Sequence, residues 1–489
     1  MALSKDVYSA FEDVVGPEYI CDDPAIMPSY HGTEFAAVIL PKNTLEVQAI
    51  IKLCNKHNVQ FRPVCTGWTG MFQEGILYMD LRRMNRIIEI NEKNMYAVVE
   101  PYVTSAQLQA ELFKRGLHFN VKGAGTNCSA MLRGHGHLDQ TTSGDDRNHL
   151  AIEWVTPEGD IVRSGSLGSS DEWFSGDGPG PSIRSILTSA VPPGVTPGVF
   201  TKAATKLYHW PGPSKFPIQG VSPTYTLSEI PPNFMARYFS FPSVEKMWEA
   251  ELKIGEAEIA FELMGFNAAM VACNITTCNE EEEEVFERIS KEVQGPGFFL
   301  ILAGNSAPDF EYKKRVLDKI ISEADGQSLK SVEDPRTEGI LLCQCIRISA
   351  SIRETFRAGG AFSSIPVMSQ RDLTIKWAIG AGKAKEPLID KGLIVDDGGA
   401  FFGWGVEHGH LGKTEIFCKF DPLNTEAKEA VEAWHKAQSK RAFDEKYFAL
   451  LMGPQDEIGP GMSNYHLWWD KIKKSLDPNG VVPDAGSLV

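Results

Sequence analysis

The chain has no run of about 18 consecutive apolar residues, the minimum for a membrane-crossing helix, so no transmembrane helix is expected. Positive charge is in deficit: 48 lysines and arginines face 64 acidic residues, a net charge of −16. Such an acidic balance disfavours nucleic acid and anionic membrane surfaces as partners. Cysteine is sparse and scattered. The nine residues at 21, 54, 65, 128, 273, 278, 343, 345 and 418 form neither a four-cysteine cluster nor a zinc site. No metal site is therefore expected, and any iron–sulfur centre belongs to a partner. Residues 1–14 are polar and amphipathic rather than apolar after a basic start, so no secretory signal is expected. A reduced, cytoplasmic protein is the simplest reading. Internal repeats, low-complexity tracts and coiled-coil heptads are all absent.

What is present is a 489-residue chain, 43% hydrophobic and 23% charged, with room for two or three domains of ordinary globular composition. Residues 41–101 hold the densest set of signals. Val47, Ile50, Ile51 and Cys54 recur at helical spacing within residues 45–58. A short strand is expected at 60–64, then the loop Cys65, Thr66, Gly67, Trp68, Thr69, Gly70, then a strand at 76–81. Glycines at 67 and 70 let the backbone come close to a ligand, and successive amides in such a turn make an anion-binding concavity.

Further along, two strands are expected around the turn at residues 91–94, and a helix over 105–115 with Ser105 as N-cap and Gly116 as stop. A polar, glycine-studded segment over 123–148 is too long for a simple connector. Residues 150–165 read as a hairpin turning at Pro157, Glu158 and Gly159. Proline and glycine concentrate over 176–220, and the cluster WPGPSKFP at 210–217 marks a domain boundary. Beyond it, strands such as FFLILAG (298–304) alternate with amphipathic helices. One of these, over 280–293, opens with the acidic run 280–284, read as a solvated face near a helix N-terminus. A final helix closes at Asp477, Pro478, Asn479 and Gly480.

Taken together and in order, these pieces resemble the FAD-binding oxidoreductases of the vanillyl-alcohol oxidase and p-cresol methylhydroxylase superfamily. The matching elements are Pro41 with Glu46 and Val47 before the first loop, the 65–70 loop itself, and the strand pair MDLRRMNRIIEI. Next come Ser129, Arg133, Gly134 and Gly136 with Gly144 and Asp145 as a second loop, the element spanning residues 194–202, and LDPNG at 476–480. The matches cover the first 215 residues or so and the last 35 or so. The resemblance implies an α+β fold: a two-lobed FAD-binding domain of the p-cresol methylhydroxylase (PCMH) type with an antiparallel-sheet substrate cap domain. Its division would be 1–215 for the FAD-binding domain, 216–450 for the cap and 451–489 for a tail returning to the FAD domain.

FAD is the implied cofactor, held by Cys65, Thr66, Gly67, Trp68, Thr69, Gly70, Gly125, Thr126, Ser129, Arg133, Gly134, His135, Gly144, Asp145, Gly198 and Val199. Loop amides would hold its pyrophosphate. Asp145 stands where the family's aromatic-alcohol oxidases place an aspartate near flavin N5; it and Asp146 could equally cap the following segment. In Glu407, His408, Gly409, His410, Leu411, Gly412 and Lys413, an extended strand would point His408 and His410 the same way. Two imidazoles there suit a general base, an oxyanion partner, a flavin anchor, metal ligands or structural histidines.

The glycolate and lactate branch has "G-H-x-G-D-G-N-x-H" at this place. Here Lys413, Glu415 and Phe417 replace its Asp, Asn and second His. The phenol branch's Tyr-Arg pair is also missing, since Tyr447 is followed by Phe448. Arg347, Arg353 and Tyr447 are the substrate-binding candidates, the arginines for a carboxylate or as surface ion pairs. Cys128, His135, His137, His408 and His410 are the conceivable anchors, with noncovalent FAD expected.

The implied activity is hydride transfer to flavin N5 from a small hydroxylated substrate, a 2-hydroxy acid or an aromatic or alicyclic alcohol. Asp145, His408, His410 and Glu407 are the catalytic candidates. Electrons would pass to an iron–sulfur or electron-transfer flavoprotein partner or a quinone, within a homo- or hetero-oligomer. The alternatives are a para-substituted phenol oxidase and a noncatalytic flavoprotein subunit of a larger redox complex.

Overall fold

A computed structural model describes residues 3–29, 35–65, 73–119, 149–164, 198–221, 225–346, 361–396, 401–406, 409–445 and 465–483. The chain starts with helix α1 (Lys5–Val15) and the short strands β1 (Ile20–Cys21) and β2 (Ala37–Ile39). The periodicity at 45–58 becomes helix α2 (Thr44–His57). Asn43 caps it by accepting from the Glu46 amide, and Asn58 closes it in the left-handed conformation at φ 52°. Strands β3 (Phe61–Val64) and β4 (Leu77–Asp80) complete a four-stranded sheet in the order β1-β2-β4-β3. Strands β2, β4 and β3 run parallel. Val47, Ile50, Ile51 and Cys54 lie in its core with Phe11, Ile39, Phe61 and Met79.

The second sheet contains the hairpin β5 (Ile87–Asn91) and β6 (Tyr96–Val99). Helix α3 (Ser105–Phe113) and strand β7 (Leu117–Phe119) follow. Its cap is Thr104 rather than Ser105: Thr104 and Gln107 form a reciprocal capping box, and Ser105 is the buried first helical residue. The sheet is completed by the hairpin β8 (His149–Val155) and β9 (Ile161–Arg163), which turns at Gly159, and by the long β10 (Val199–His209). Strand order is β5-β6-β10-β8-β9, with β7 also pairing β10.

Trp210 directly follows β10 and stacks on Phe113 at 3.9 Å. Phe216, Phe234 and Phe261 surround the same indole at centroid distances of 5.8, 5.7 and 5.6 Å. A side chain at Gly212 would strike the indole. The segment expected to be a boundary is thus packed on both sides, and one apolar cluster includes Phe113 and Trp210 along with Phe234, Met264, Phe266 and Phe417.

After the small hairpin β11 (Ile218–Gln219) and β12 (Thr226–Leu227), the chain builds a seven-stranded antiparallel sheet. Its strands are β13 (Phe234–Ser240), β14 (Ala260–Phe266), β15 (Gly297–Ala303), β16 (Gln327–Ser328), β17 (Ala361–Gln370), β18 (Phe401–Val406) and β19 (Leu411–Phe420). They lie in the order β16-β13-β15-β14-β18-β19-β17. On one face pack helices α4 (Val244–Glu256), α7 (Ala307–Glu323), α9 (Arg371–Lys383), the short α10 (Glu386–Asp390) and α11 (Thr425–Asp444). On the other are α5 (Ala268–Ile275), α6 (Asn279–Ser290) and α8 (Pro335–Cys345), with the aromatic cluster around Trp210.

The acidic run at 280–284 is not wholly a solvated face. Glu282 is buried, one turn before Val285 and two before Ile289, while the other four glutamates are exposed. The last helix, α12 (Tyr465–Leu476), ends at Asp477, whose carboxylate accepts from the amides of Val481 and Val482. The following residues return to the first sheet, where the Phe61 amide donates to the Val481 carbonyl at 2.9 Å.

Candidate cofactor and substrate site

The two N-terminal sheets meet at a seam at the carboxyl ends of β3 and β4. The Leu81 amide donates to Val64 O, the Met84 amide to Leu81 O and the Tyr102 amide to Met84 O. Cys65, the first residue after β3, is buried, and its thiol contacts Pro101 O at 3.5 Å. Ligands of open sheets with parallel strands bind outside the carboxyl ends of those strands, where Cys65 and Leu81 lie.

Charges at the seam are matched. Arg82 Nε donates to Asp80 at 2.7 Å, and Arg86 Nη2 to Glu100 at 2.7 Å. Arg83 lies over the Tyr19 ring and donates to Leu40 O. Behind the seam, buried Glu153 accepts from Thr44 at 2.7 Å, Lys202 at 2.8 Å and Thr201 at 3.1 Å, tying α2 to the second sheet. Burial alone would raise its pKa; the hydrogen bonds from Lys202, Thr44 and Thr201 outweigh it and hold the carboxyl below its ordinary value.

The second half of the site is the face of the cap sheet that looks toward these lobes. Phe261 of β14 touches both Trp210 and His118, and Gln109 of α3 donates to Ile346 O just after α8. Phe417 of β19 belongs to the same interlobe cluster, whereas its neighbour in alternation, Thr414, is held by Arg371 on the opposite face. Period-two alternation therefore puts Lys413, Glu415, Phe417 and Lys419 on the interlobe face. Lys413 Nζ lies 3.2 Å from Glu415 Oε2, and Ser364 Oγ of β17 donates to Glu415 Oε1 at 2.6 Å. These side chains are only 12% and 16% exposed for Lys413 and Glu415. In register, Trp404 stands opposite Lys413 and Phe402 opposite Glu415.

The FAD binding domain family matches residues 35–165. Along almost its whole length the chain is similar to the probable mitochondrial D-lactate dehydrogenase of Danio rerio, with 24% identity over 98% of this chain and 91% of that protein. The 1'-carboxy-chondrochloren decarboxylase of Chondromyces crocatus is 27% identical over 205 residues, and the match spans only 37% of that relative's length and 37% of this chain. A 4-ethylphenol oxidase from Gulosibacter chungangensis shares the fold at a TM-score of 0.74 and 18% identity, covering 98% of this chain and 95% of that one.

The chain thus carries an FAD binding domain over residues 35–165, and its fold is the one shared by 4-ethylphenol oxidase and p-cresol methylhydroxylase. Its cofactor is FAD and its fold is the expected α+β arrangement of a two-lobed FAD domain with an antiparallel-sheet cap. The seam fits such a cofactor: the flanking carboxylates Asp80 and Glu100 are each matched by an arginine, so neither sets an uncompensated negative charge against a diphosphate. With Arg82, Arg83 and Arg86 engaged, backbone amides are the donors suited to it.

Three of the expected FAD-binding residues fall in the described regions. Cys65 turns its thiol into the seam. Gly198, at φ 98°, begins β10 so close to β8 that a Cβ would overlap Val155 O and lie 2.5 Å from Trp154 Nε1. Val199 is packed in the first core with Val155. Thr66, Gly67, Trp68, Thr69, Gly70, Gly125, Thr126, Ser129, Arg133, Gly134, His135, Gly144 and Asp145 lie outside the described residues, as do Glu407, His408, Arg347, Arg353 and Tyr447.

The expected continuous strand through His408 and His410 is interrupted. β18 stops at Val406, Gly409 takes φ 86° and His410 sits in the turn before β19. The His410 side chain is exposed, and its carbonyl accepts from the Arg371 amide at 3.1 Å. Sequence reasoning did not select Lys413, Glu415 or Ser364 as site residues. The usable signal was polar residues at alternate positions of LGKTEIFCKF, which on a strand must share one face.

Proposed function

We propose that the protein is a dehydrogenase that oxidises a small hydroxylated compound bound between the FAD domain and the cap sheet. The observation that supports this reading most is the Lys413–Glu415–Ser364 cluster, a polar group on the interlobe face beside the apolar residues Phe417, Met264 and Phe266. FAD, when bound, supplies the two-electron hydride acceptor; the chain's own residues bind and orient the hydroxyl-bearing carbon and take up its proton. In this reading the amides of residues 66–70 hold the diphosphate and the second loop, from Gly125 to Asp145, lies along the flavin. Asp145 and His410 remain proton-transfer candidates beside Glu415.

Relatives named for D-lactate and for 4-ethylphenol bracket the substrate class, since both compounds carry a hydroxyl. The chain's cysteines offer no cluster spacing, so the electrons leave the flavin for an external acceptor: a protein, a quinone or oxygen.

The test is to load the protein with FAD, exclude oxygen and add D-lactate, glycolate, benzyl alcohol and 4-ethylphenol in turn. Bleaching of the flavin absorbance by at least one of them is expected, and reoxidation faster with a quinone than with air supports a dehydrogenase. Bound FAD that none of them bleaches overturns the reading in favour of a noncatalytic flavoprotein subunit.

A further inference from the structure

Lys413 and Glu415 present one donor and one acceptor side by side, 3.2 Å apart, on a largely buried face. Each oxygen of Glu415 already has a partner, Ser364 Oγ on Oε1 and Lys413 Nζ on Oε2. A carboxylate has about four lone-pair sites and an ammonium three N–H groups, so their mutual contact by itself exhausts neither group.

We propose that this pair is the cap's hydroxyl-recognition site and that it selects neutral alcohols over 2-hydroxy acids. The inference rests on the function proposed above and narrows its substrate class.

The first argument is complementarity. A hydroxyl is donor and acceptor at once, so a single oxygen satisfies both members of the pair: it donates to Glu415 and accepts from Lys413. A carboxylate only accepts, and satisfies one. The second argument is charge. The pair sums to zero, and a neutral ligand leaves that sum unchanged. A 2-hydroxy acid carries its carboxylate on the carbon that bears the hydroxyl. Bringing that hydroxyl to the pair sets a second anion against Glu415, where poor solvent access screens the repulsion weakly.

The next lysine on the same face, Lys419, is set apart by its burial. Lys419 is buried, which holds its pKa below the ordinary lysine value, and the charges that act against that shift include Glu282. Burial thus disfavours the charged form of Lys419.

The experiment uses two probe pairs of like skeleton: D-lactate against propane-1,2-diol, and benzoate against benzyl alcohol. Each is titrated anaerobically into the FAD-loaded wild type, Glu415→Gln and Lys413→Met. Kd is read by calorimetry and from the flavin difference spectrum. The wild type is expected to bind the neutral member of each pair at least about tenfold more tightly. Glu415→Gln should move the ratio toward the carboxylate by roughly a hundredfold. Lys413→Met, which leaves Glu415 unmatched, should move it the other way, and it decides the matter if Glu415→Gln does not fold. Tighter binding of the carboxylates by the wild type, ratios unchanged in both variants, or no binding of either pair overturns the proposal. Neutral ligands that bind with the expected ratios yet never bleach the flavin would sink the dehydrogenase reading while leaving the recognition site standing.

Discussion

Replacing Arg371 by methionine should cost the fold about 3–5 kcal/mol, because it strands a buried carboxylate. The guanidinium is 0% exposed and makes a two-point contact with Glu251, Nε to Oε2 and Nη2 to Oε1, both at 2.8 Å. A third bond runs from Nη1 to Thr414 Oγ1 at 2.9 Å. Without the arginine, Glu251 remains in the layer between α4 and the sheet with no cation beside it. The intact pair need not be strongly stabilising, since desolvation opposes the attraction; the penalty comes from breaking it on one side. Two controls separate these effects. Arg371→Met combined with Glu251→Met removes both charges and should recover most of the loss, whereas Thr414→Val removes one neutral acceptor and should cost about 1 kcal/mol. Urea unfolding followed by tryptophan fluorescence is the assay, because Trp377 is fully buried on the same helix as Arg371. A single variant within about 1 kcal/mol of wild type, or a double variant no better than the single, would refute the reasoning.

Gly198→Ala is expected to destabilise by about 2–3 kcal/mol and to lower the ratio of FAD to protein after purification, since φ 98° and the overlap with Val155 O both exclude a side chain. Thermal unfolding and the flavin absorbance check this, and an unchanged alanine variant would contradict it. His435 sits against Ser363, with Nδ1 and Oγ 2.9 Å apart, and burial pushes its pKa below the ordinary 6.5. The unfolded chain then takes up this proton first. The contribution is complete above about pH 6.5 and is lost as pH falls toward the depressed folded value. The Tm of the wild type should drop more steeply below about pH 6.5 than that of His435→Gln; parallel profiles would count against the assignment.

Most individual elements were legible locally. The apolar spacing at 45–58 became Thr44–His57, FFLILAG became Gly297–Ala303, and the hairpin predicted over 150–165 became His149–Val155 with Ile161–Arg163. These features depend on periodicity and turn chemistry within one stretch of chain. Even the misplaced cap at Ser105 was a local matter, because Thr104 and Gln107 stand at capping-box spacing. The order of the glycine loops and the LDPNG element was likewise enough to point to FAD and to the fold.

Pairings across the chain were a different matter. Glu251 and Arg371 are 120 residues apart, and Ser364 meets Glu415 only because β17 and β19 lie in one register. Glu282, one of five consecutive glutamates, is indistinguishable from its neighbours until α6 turns one side of the helix inward. Lys413 and Glu415 looked like departures from a known pattern; their common face and burial come from where β19 sits in the sheet. The chain by itself determined the elements, since spacing along the backbone encodes them, and the resemblance carried by its ordered motifs implied the cofactor class and the fold. Tertiary structure decided which charges are buried and matched, because desolvation and partnership arise only when distant segments pack together.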